Sequence, residues 1–158
     1  MAFSAIALIS SSCQIGAGDV EAGSDSGSDL STTFAEDSTD YIWSASDVVN
    51  VQLSTSSASA DGAGVSVSGT IVTINAPGTY KITGTLSGGQ ILVNTSTDGI
   101  VRLLLNGVTI SNASSAPVYV KSATKVIVNL VEGTTNTLTD THSDTSTEPN
   151  AGLFSNAN

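Results

Sequence analysis

Thr79-Tyr80-Lys81-Ile82, Gln90-Ile91-Leu92-Val93 and Val101-Arg102-Leu103-Leu104-Leu105 are three short runs of strand-forming residues. Three more follow in the same order: Val108-Thr109-Ile110, Val118-Tyr119-Val120 and Val126-Ile127-Val128-Asn129-Leu130. Ile82 to Ile110 is 28 residues, Val93 to Val120 is 27 and Val101 to Val126 is 25. A period of that length with three strands in each repeat is the pattern of a β-solenoid, each coil stacked on the next. Period-two alternation then assigns the inward side chains. Val101, Leu103 and Leu105 stack on Val126, Val128 and Leu130; Ile91 and Val93 stack on Val118 and Val120; Tyr80 and Ile82 sit over Val108 and Ile110.

Working outward, Val65–Asn75 alternates apolar and small polar residues and reads as a hairpin or an irregular first coil. Pro77-Gly78 turns the chain into the repeat. Tyr41–Leu53 is the one stretch able to hold a helical turn, and Tyr41, Ile42 and Trp43 mark the start of order. Trp43 has two readings, a cap over the first coil or a platform for stacking a sugar ring. Past Leu138 comes a polar loop, Thr139–Asn150, and then an apolar segment, Ala151–Ser155. The repeat covers about two coils, fewer than the roughly three expected for independent stability. The 41–158 domain is therefore expected to be incomplete at its C-terminus.

Composition sets the broad class. Only 11% of the 158 residues are charged, against about 25% in typical domains. Ser, Thr, Asn and Gly fill the polar positions, and good helix formers are scarce, so the chain reads as all-β. The net charge of −10 argues against nucleic acid, whose binding rests on neutralising phosphates, and against anionic membrane surfaces. It fits a secreted acidic protein.

Residues 1–13 hold a short apolar run, Met1–Ile9, followed by Ser10-Ser11-Ser12-Cys13. This resembles a secretory signal with a lipobox, in which Cys13 is lipidated after cleavage. A cleaved secretion signal and an uncleaved segment are the other readings. The run is too short to span a membrane as a helix, so membrane contact is expected only through a lipid anchor. Cys13 is the single cysteine, which excludes an internal disulfide. Residues 14–40 are Gly, Ser, Thr and acid, and are expected to be a disordered tether between anchor and domain.

The run Gly78-Thr79-Tyr80-Lys81-Ile82-Thr83-Gly84-Thr85-Leu86-Ser87-Gly88-Gly89-Gln90-Ile91, with Val101–Ile110, Ala116–Lys121, Gly133–Asp140 and Glu148-Pro149-Asn150-Ala151, resembles a family of secreted bacterial carbohydrate-binding proteins. The resemblance covers Val65–Asn158. It implies a right-handed parallel β-helix similar to pectate lyases, with three strands per coil. It also implies binding of cellulose-like or pectin-like polysaccharide, Ca²⁺ on the domain and a cell-surface or extracellular location.

Candidate site residues follow from the outward faces. Leu92 plus 27 is Tyr119 and Asn94 plus 27 is Lys121, so Tyr119 presents a ring beside an amide and an amine. Arg102 points outward next to Ile127. Tyr119, Asn94, Lys121 and Arg102 are the expected carbohydrate contacts, with packing under a loop or a second subunit as the alternative for Tyr119. Asp140, Asp144 and Glu148 supply oxygens of the kind Ca²⁺ takes. His142, the sole histidine, lacks partners for a zinc site. The expected function is non-catalytic polysaccharide binding. The first alternative is a subunit of an extracellular filament, assembled through stacking or strand addition at the open end. The second is a polysaccharide lyase, which would need a cation beside clustered carboxylates; no carboxylate column is expected beside Arg102.

Overall fold

A computed structural model of the chain describes residues 37–143 and 149–157. Cys13, residues 14–36, Asp144 and Glu148 lie outside the described residues.

Two 3₁₀ turns come first. Ala45–Asp47 lies in the stretch expected to hold a helical turn, whereas Ser38–Tyr41 falls at the end of the stretch expected as a tether, where Asp37 caps it and buried Asp40 meets Lys125. Eleven strands follow: β1 Val48–Ser54, β2 Ser57–Ala60, β3 Val65–Ser68, β4 Ile71–Ile74, β5 Gly78–Ser87, β6 Gln90–Asn94, β7 Ile100–Asn112, β8 Val118–Ser122, β9 Lys125–Leu130, β10 Thr137–Asp140 and β11 Leu153–Ser155. They form two sheets. The first runs β10-β7-β5-β1-β2, with β9 also paired to β7, and the second runs β11-β8-β6-β4-β3.

Both sheets are mixed, which corrects the expected right-handed parallel β-helix of three strands per coil. Parallel ladders join β1, β5 and β7 in one sheet and β4, β6, β8 and β11 in the other. Antiparallel hairpins, β1–β2 and β3–β4, occupy one edge of each sheet. The architecture is a sandwich of two mixed sheets around a shared core, not a solenoid.

The strand count per repeat is the source of the difference. Val101–Leu105 and Val108–Ile110, separate strands in the sequence reading, are halves of the single 13-residue strand β7. The chain passes between them through a bulge. Ile82 pairs with Leu105 and Gly84 with Val108, leaving Asn106 and Gly107 opposite the single residue Thr83. Gly107 has φ +71, where a residue without Cβ meets no steric cost, and the Asn136 Oδ1 accepts the Val108 N–H at 3.0 Å. The strand therefore bends instead of turning a corner. Consequently Tyr80 pairs with Leu103 and Ile82 with Leu105, not with Val108 and Ile110.

The other two expected stacks hold. Val101, Leu103 and Leu105 pair with Val126, Val128 and Leu130, and Ile91 and Val93 pair with Val118 and Val120. Val65–Asn75 forms the β3–β4 hairpin. The inward rows of both sheets meet in one core that includes Val51, Leu53, Val72, Ile74, Ile82, Leu86, Ile91, Val93, Leu103 and Ile110. Burying each such side chain contributes about 1.5–3 kcal/mol. Polar groups inside are paired: Tyr80 Oη donates to the Ala76 carbonyl at 2.8 Å, and Gln90 Nε2 donates to the Ser115 hydroxyl and the Ala116 carbonyl, both at 2.8 Å. Asn112 is buried too, and its Nδ2 donates to the Gly89 carbonyl at 2.9 Å.

The core is closed unevenly. Under the hairpins Val51, Val72 and Ile74 are fully buried, whereas on β9 and β11 Val128 is 38%, Leu153 41% and Leu130 65% exposed. Two substitutions check this description by thermal or urea unfolding. Leu103→Ala is expected to cost about 2–5 kcal/mol, whereas Leu130→Ala, mostly in solvent, is expected to cost under about 1 kcal/mol. Equal losses at the two positions would contradict the uneven closure.

Candidate functional site

The outer face of the first sheet carries a row in which Asn50 pairs with Lys81, Lys81 with Leu104 and Leu104 with Asn129. An exposed sheet face is ordinarily flat. Here the segment ahead of β1 rises over it, and Trp43 and Ala45 form one wall of a groove. Val48, Asn50, Lys81 and Leu104 form the floor, and Val131, just past β9, forms the opposite side. The groove encloses about 370 Å³, within the range of small-ligand sites. Leu104 is buried despite its place on an outward row.

Each wall is held by identifiable contacts. Asp61 accepts the Asn50 N–H and Nδ2–H, both at 2.7 Å, and the Asp61 N–H donates back to the Asn50 carbonyl at 3.1 Å. Asn50 is thereby oriented at the groove floor. These bonds to its carboxylate, the Asn50 side chain first and the backbone N–H second, hold Asp61 below the ordinary 3.8. On the far side, the Val131 N–H donates to the Leu105 carbonyl at 3.0 Å. The N-terminal wall is fixed by Arg102, whose Nε donates to the Asp40 carbonyl at 2.8 Å and Nη2 to the Thr39 carbonyl at 3.0 Å. Lys125 Nζ lies 2.6 Å from both Asp40 carboxylate oxygens.

These contacts redistribute the residues expected to meet carbohydrate. Arg102 does point outward beside Ile127, but its guanidinium is engaged by the Ser38–Tyr41 turn. Tyr119 lies on the outer face of the second sheet, in register with Leu92 and Phe154. Its ring centroid is 5.8 Å from that of Phe154, tilted by 57°, and its hydroxyl accepts from Asn156 Nδ2 at 2.8 Å. Tyr119 thus packs against a neighbouring strand, not under a loop or a second subunit. Asn94 pairs with Ser122 because the register shifts after Val93, so it is not the neighbour of Lys121 that a constant offset of 27 implies. Asn94 and Lys121 are both exposed.

Of the expected Ca²⁺ ligands, only Asp140 is among the described residues. It is half-buried, its Oδ1 accepts the His142 N–H at 2.8 Å, and its Oδ2 is buried without a partner. One orphaned carboxylate oxygen suits a hard cation, but Ca²⁺ takes six to eight oxygens. Among the described residues no three His, Cys, Asp or Glu side chains come together, so these residues alone do not make a calcium shell.

The groove was only partly visible in sequence. Trp43 stood out as the single tryptophan. Asn50, Lys81, Leu104 and Val131 come from four separate segments, and only the offsets of the parallel ladders, 31 from Asn50 to Lys81 and 23 from Lys81 to Leu104, bring them together.

The sequence model of the carbohydrate-binding domain-containing protein family matches residues 68–158, more than half of the chain. The chain belongs to that family. A curated relative from Acetivibrio thermocellus, also described as a carbohydrate-binding domain-containing protein, is 42% identical over 97 residues, covering 58% of this chain and 34% of its own length. The chain thus spans about a third of that relative. A solved structure of a polysaccharide lyase-like protein from C. thermocellum, a gadolinium derivative, superposes with a TM-score of 0.63 at 37% identity, covering 70% of this chain and 47% of the other. The family match includes Lys81, Leu104 and Val131. Trp43, Ala45, Val48 and Asn50 lie ahead of it.

The Asn50–Asp61 lock makes the groove floor acid-sensitive. A depressed carboxyl contributes stability that is complete above its unfolded value, near 3.8, and is lost as pH falls through its lower folded value. The Asn50 side-chain amide signals in NMR are expected to hold constant down to about pH 3.8 and to move below it. Asp61→Asn is expected to abolish that step; a step that survives the substitution would assign it to another group.

Proposed function

We propose that this domain binds polysaccharide in the groove beneath Trp43 and does not cleave it. The observation that carries the reading is that one largely apolar groove is lined by an aromatic ring, Trp43, together with two polar side chains, Asn50 and Lys81. An indole offers an apolar face to a sugar ring, Asn50 offers hydrogen bonds to its hydroxyls, and Lys81 offers a cation to any carboxylate. Membership of a carbohydrate-binding domain family supports the same reading. A cellulose-like chain would use the ring face and the amide. A pectin-like chain would add its carboxylates, and the Lys81 ammonium is in no ion pair among the described residues. We place the protein outside the cell, where such polymers occur.

Retention on insoluble cellulose and on polygalacturonate, with and without chelator, tests this. Trp43→Ala is expected to weaken retention about tenfold, the size of one lost aromatic contact of about 1.4 kcal/mol. Lys81→Met is expected to weaken retention on polygalacturonate and leave cellulose unaffected. Wild-type protein that passes through both matrices would sink the reading. Release of unsaturated sugars from polygalacturonate would assign a lyase instead.

A second reading rests on the uneven closure of the core. Val128, Leu130 and Leu153 expose apolar surface on edge strands, and an uncovered edge is a template for adding a strand. Self-association through β9 and β11 would make the protein a structural subunit. Sedimentation across a concentration series is expected to show growing species that Leu130→Lys suppresses; a monomer at every concentration removes this reading.

A further inference from the structure

We propose that Arg102 and Lys125 are positioning residues for the groove: acting through Thr39 and Asp40, they hold Trp43 as its wall.

The argument starts from charge. The chain has only four Lys and Arg residues against fourteen Asp and Glu. Two of the four, Arg102 and Lys125, converge on the same short turn. Arg102 stands on the outer face of β7, and Lys125 opens β9 and pairs with Ile100. Their four hydrogen bonds, at 2.6–3.0 Å, all end on Thr39 and Asp40. Asp40 is 7% exposed, so its carboxylate is largely removed from water and depends on Lys125. Lys125 itself is partly in solvent, so removing it is expected to release the turn to water and not to unfold the sandwich.

The turn is itself well defined. Asp37 Oδ1 accepts the Thr39 N–H at 2.9 Å, and the Ile42 N–H donates to the Thr39 carbonyl at 3.2 Å. Trp43 follows Asp40 by three residues, a tether of at most about 10 Å. On its other side the Asp47 N–H donates to the Ser44 carbonyl at 3.0 Å, and Val48 enters β1, paired with β5. Trp43 is therefore suspended between two fixed points, the Asp40 clamp and the start of β1. The intervening Tyr41 and Ile42 are 53% and 68% exposed. With the clamp gone, the segment ahead of Trp43 loses four hydrogen bonds to the sheet, and the groove's N-terminal wall is loosened.

This inference rests on the groove being the ligand site, yet the hold on Trp43 is measurable without any ligand. Trp43 is the single tryptophan among three tyrosines, so fluorescence excited at the red edge of the indole band, where tyrosine does not absorb, reports on it alone. In Arg102→Met/Lys125→Met the emission is expected to shift to the red, and acrylamide quenching to increase. Retention on polysaccharide is expected to weaken about tenfold. The melting temperature of the sandwich is expected to stay close to wild type, because neither side chain belongs to the core, and Lys125→Arg is expected to restore emission and retention together in the Lys125 position. In a Trp43→Ala background, removing the clamp is expected to add no further loss of retention. Unchanged emission and quenching in the double variant would overturn the proposal. So would a red shift with retention unaltered, because the clamp would then not serve the groove. If the wild-type protein binds neither polymer while the double variant still releases Trp43, the clamp stands and the groove's assignment as the ligand site falls.

Discussion

The parallel register of β5 and β7 is the constraint on which the rest of the structure depends. Tyr80 against Leu103 and Ile82 against Leu105 put the buried rows inside. Because side chains alternate, the same pairing puts Lys81 beside Leu104 and Thr79 beside Arg102 on the outside. A slip of one residue would exchange these sets and place Lys81 in the core. The groove floor and the anchor for its wall are thus both consequences of the apolar pairing behind them. The bulge at Gly107 lets the ladder continue without losing this alternation: beyond it Leu86 meets Ile110, again buried on both strands.

Electrostatics in this molecule is local. With fourteen acidic residues against four basic ones, net charge disfavours long-range attraction to anionic surfaces, but specific acids still do defined structural tasks. Asp37 caps the first turn, Asp40 receives Lys125, and Asp61 fixes Asn50. In each case the carboxylate accepts N–H groups at short distance, the geometry in which a charge-assisted hydrogen bond is strongest. Two of these three acids belong to the segment that forms one side of the groove. That side is attached to the sheet chiefly through polar contacts, whereas the floor is backed by hydrophobic packing. The two parts of the site therefore have different physical origins, and the wall is the more easily perturbed.

The two outer faces differ in the same respect. On the second sheet, Leu92, Tyr119 and Phe154 pack in register and Asn156 holds the phenol hydroxyl. All three are half-buried by one another and by their neighbours. A similar set of residue types therefore gives packing on one sheet and a cleft on the other.

How much was legible in the sequence follows from range. Composition and alternation determined the all-β class, the β3–β4 hairpin, the stacks Val101/Val126, Leu103/Val128, Ile91/Val118 and Val93/Val120, and a helical turn ahead of β1. All of these depend on period-two patterning or on neighbours in the chain. The number of strands per repeat was not determined, because a glycine between apolar runs reads alike as a corner or as a bulge. Only the partner strand, with Ile82 on Leu105 and Gly84 on Val108, shows that Gly107 is a bulge, and only the antiparallel edge hairpins β1–β2 and β3–β4 make the sheets mixed. The same limit hid the groove. Trp43, Asn50, Lys81, Leu104 and Val131 are scattered over almost ninety residues, and no local pattern joins them. Arg102 looked like a ligand contact because an outward cation has no visible partner in sequence, and its partners lie 62 and 63 residues away. Residue chemistry alone determined what these side chains can do; tertiary pairing decided which of them meet, because contacts across parallel strands are set by register and not by proximity along the chain.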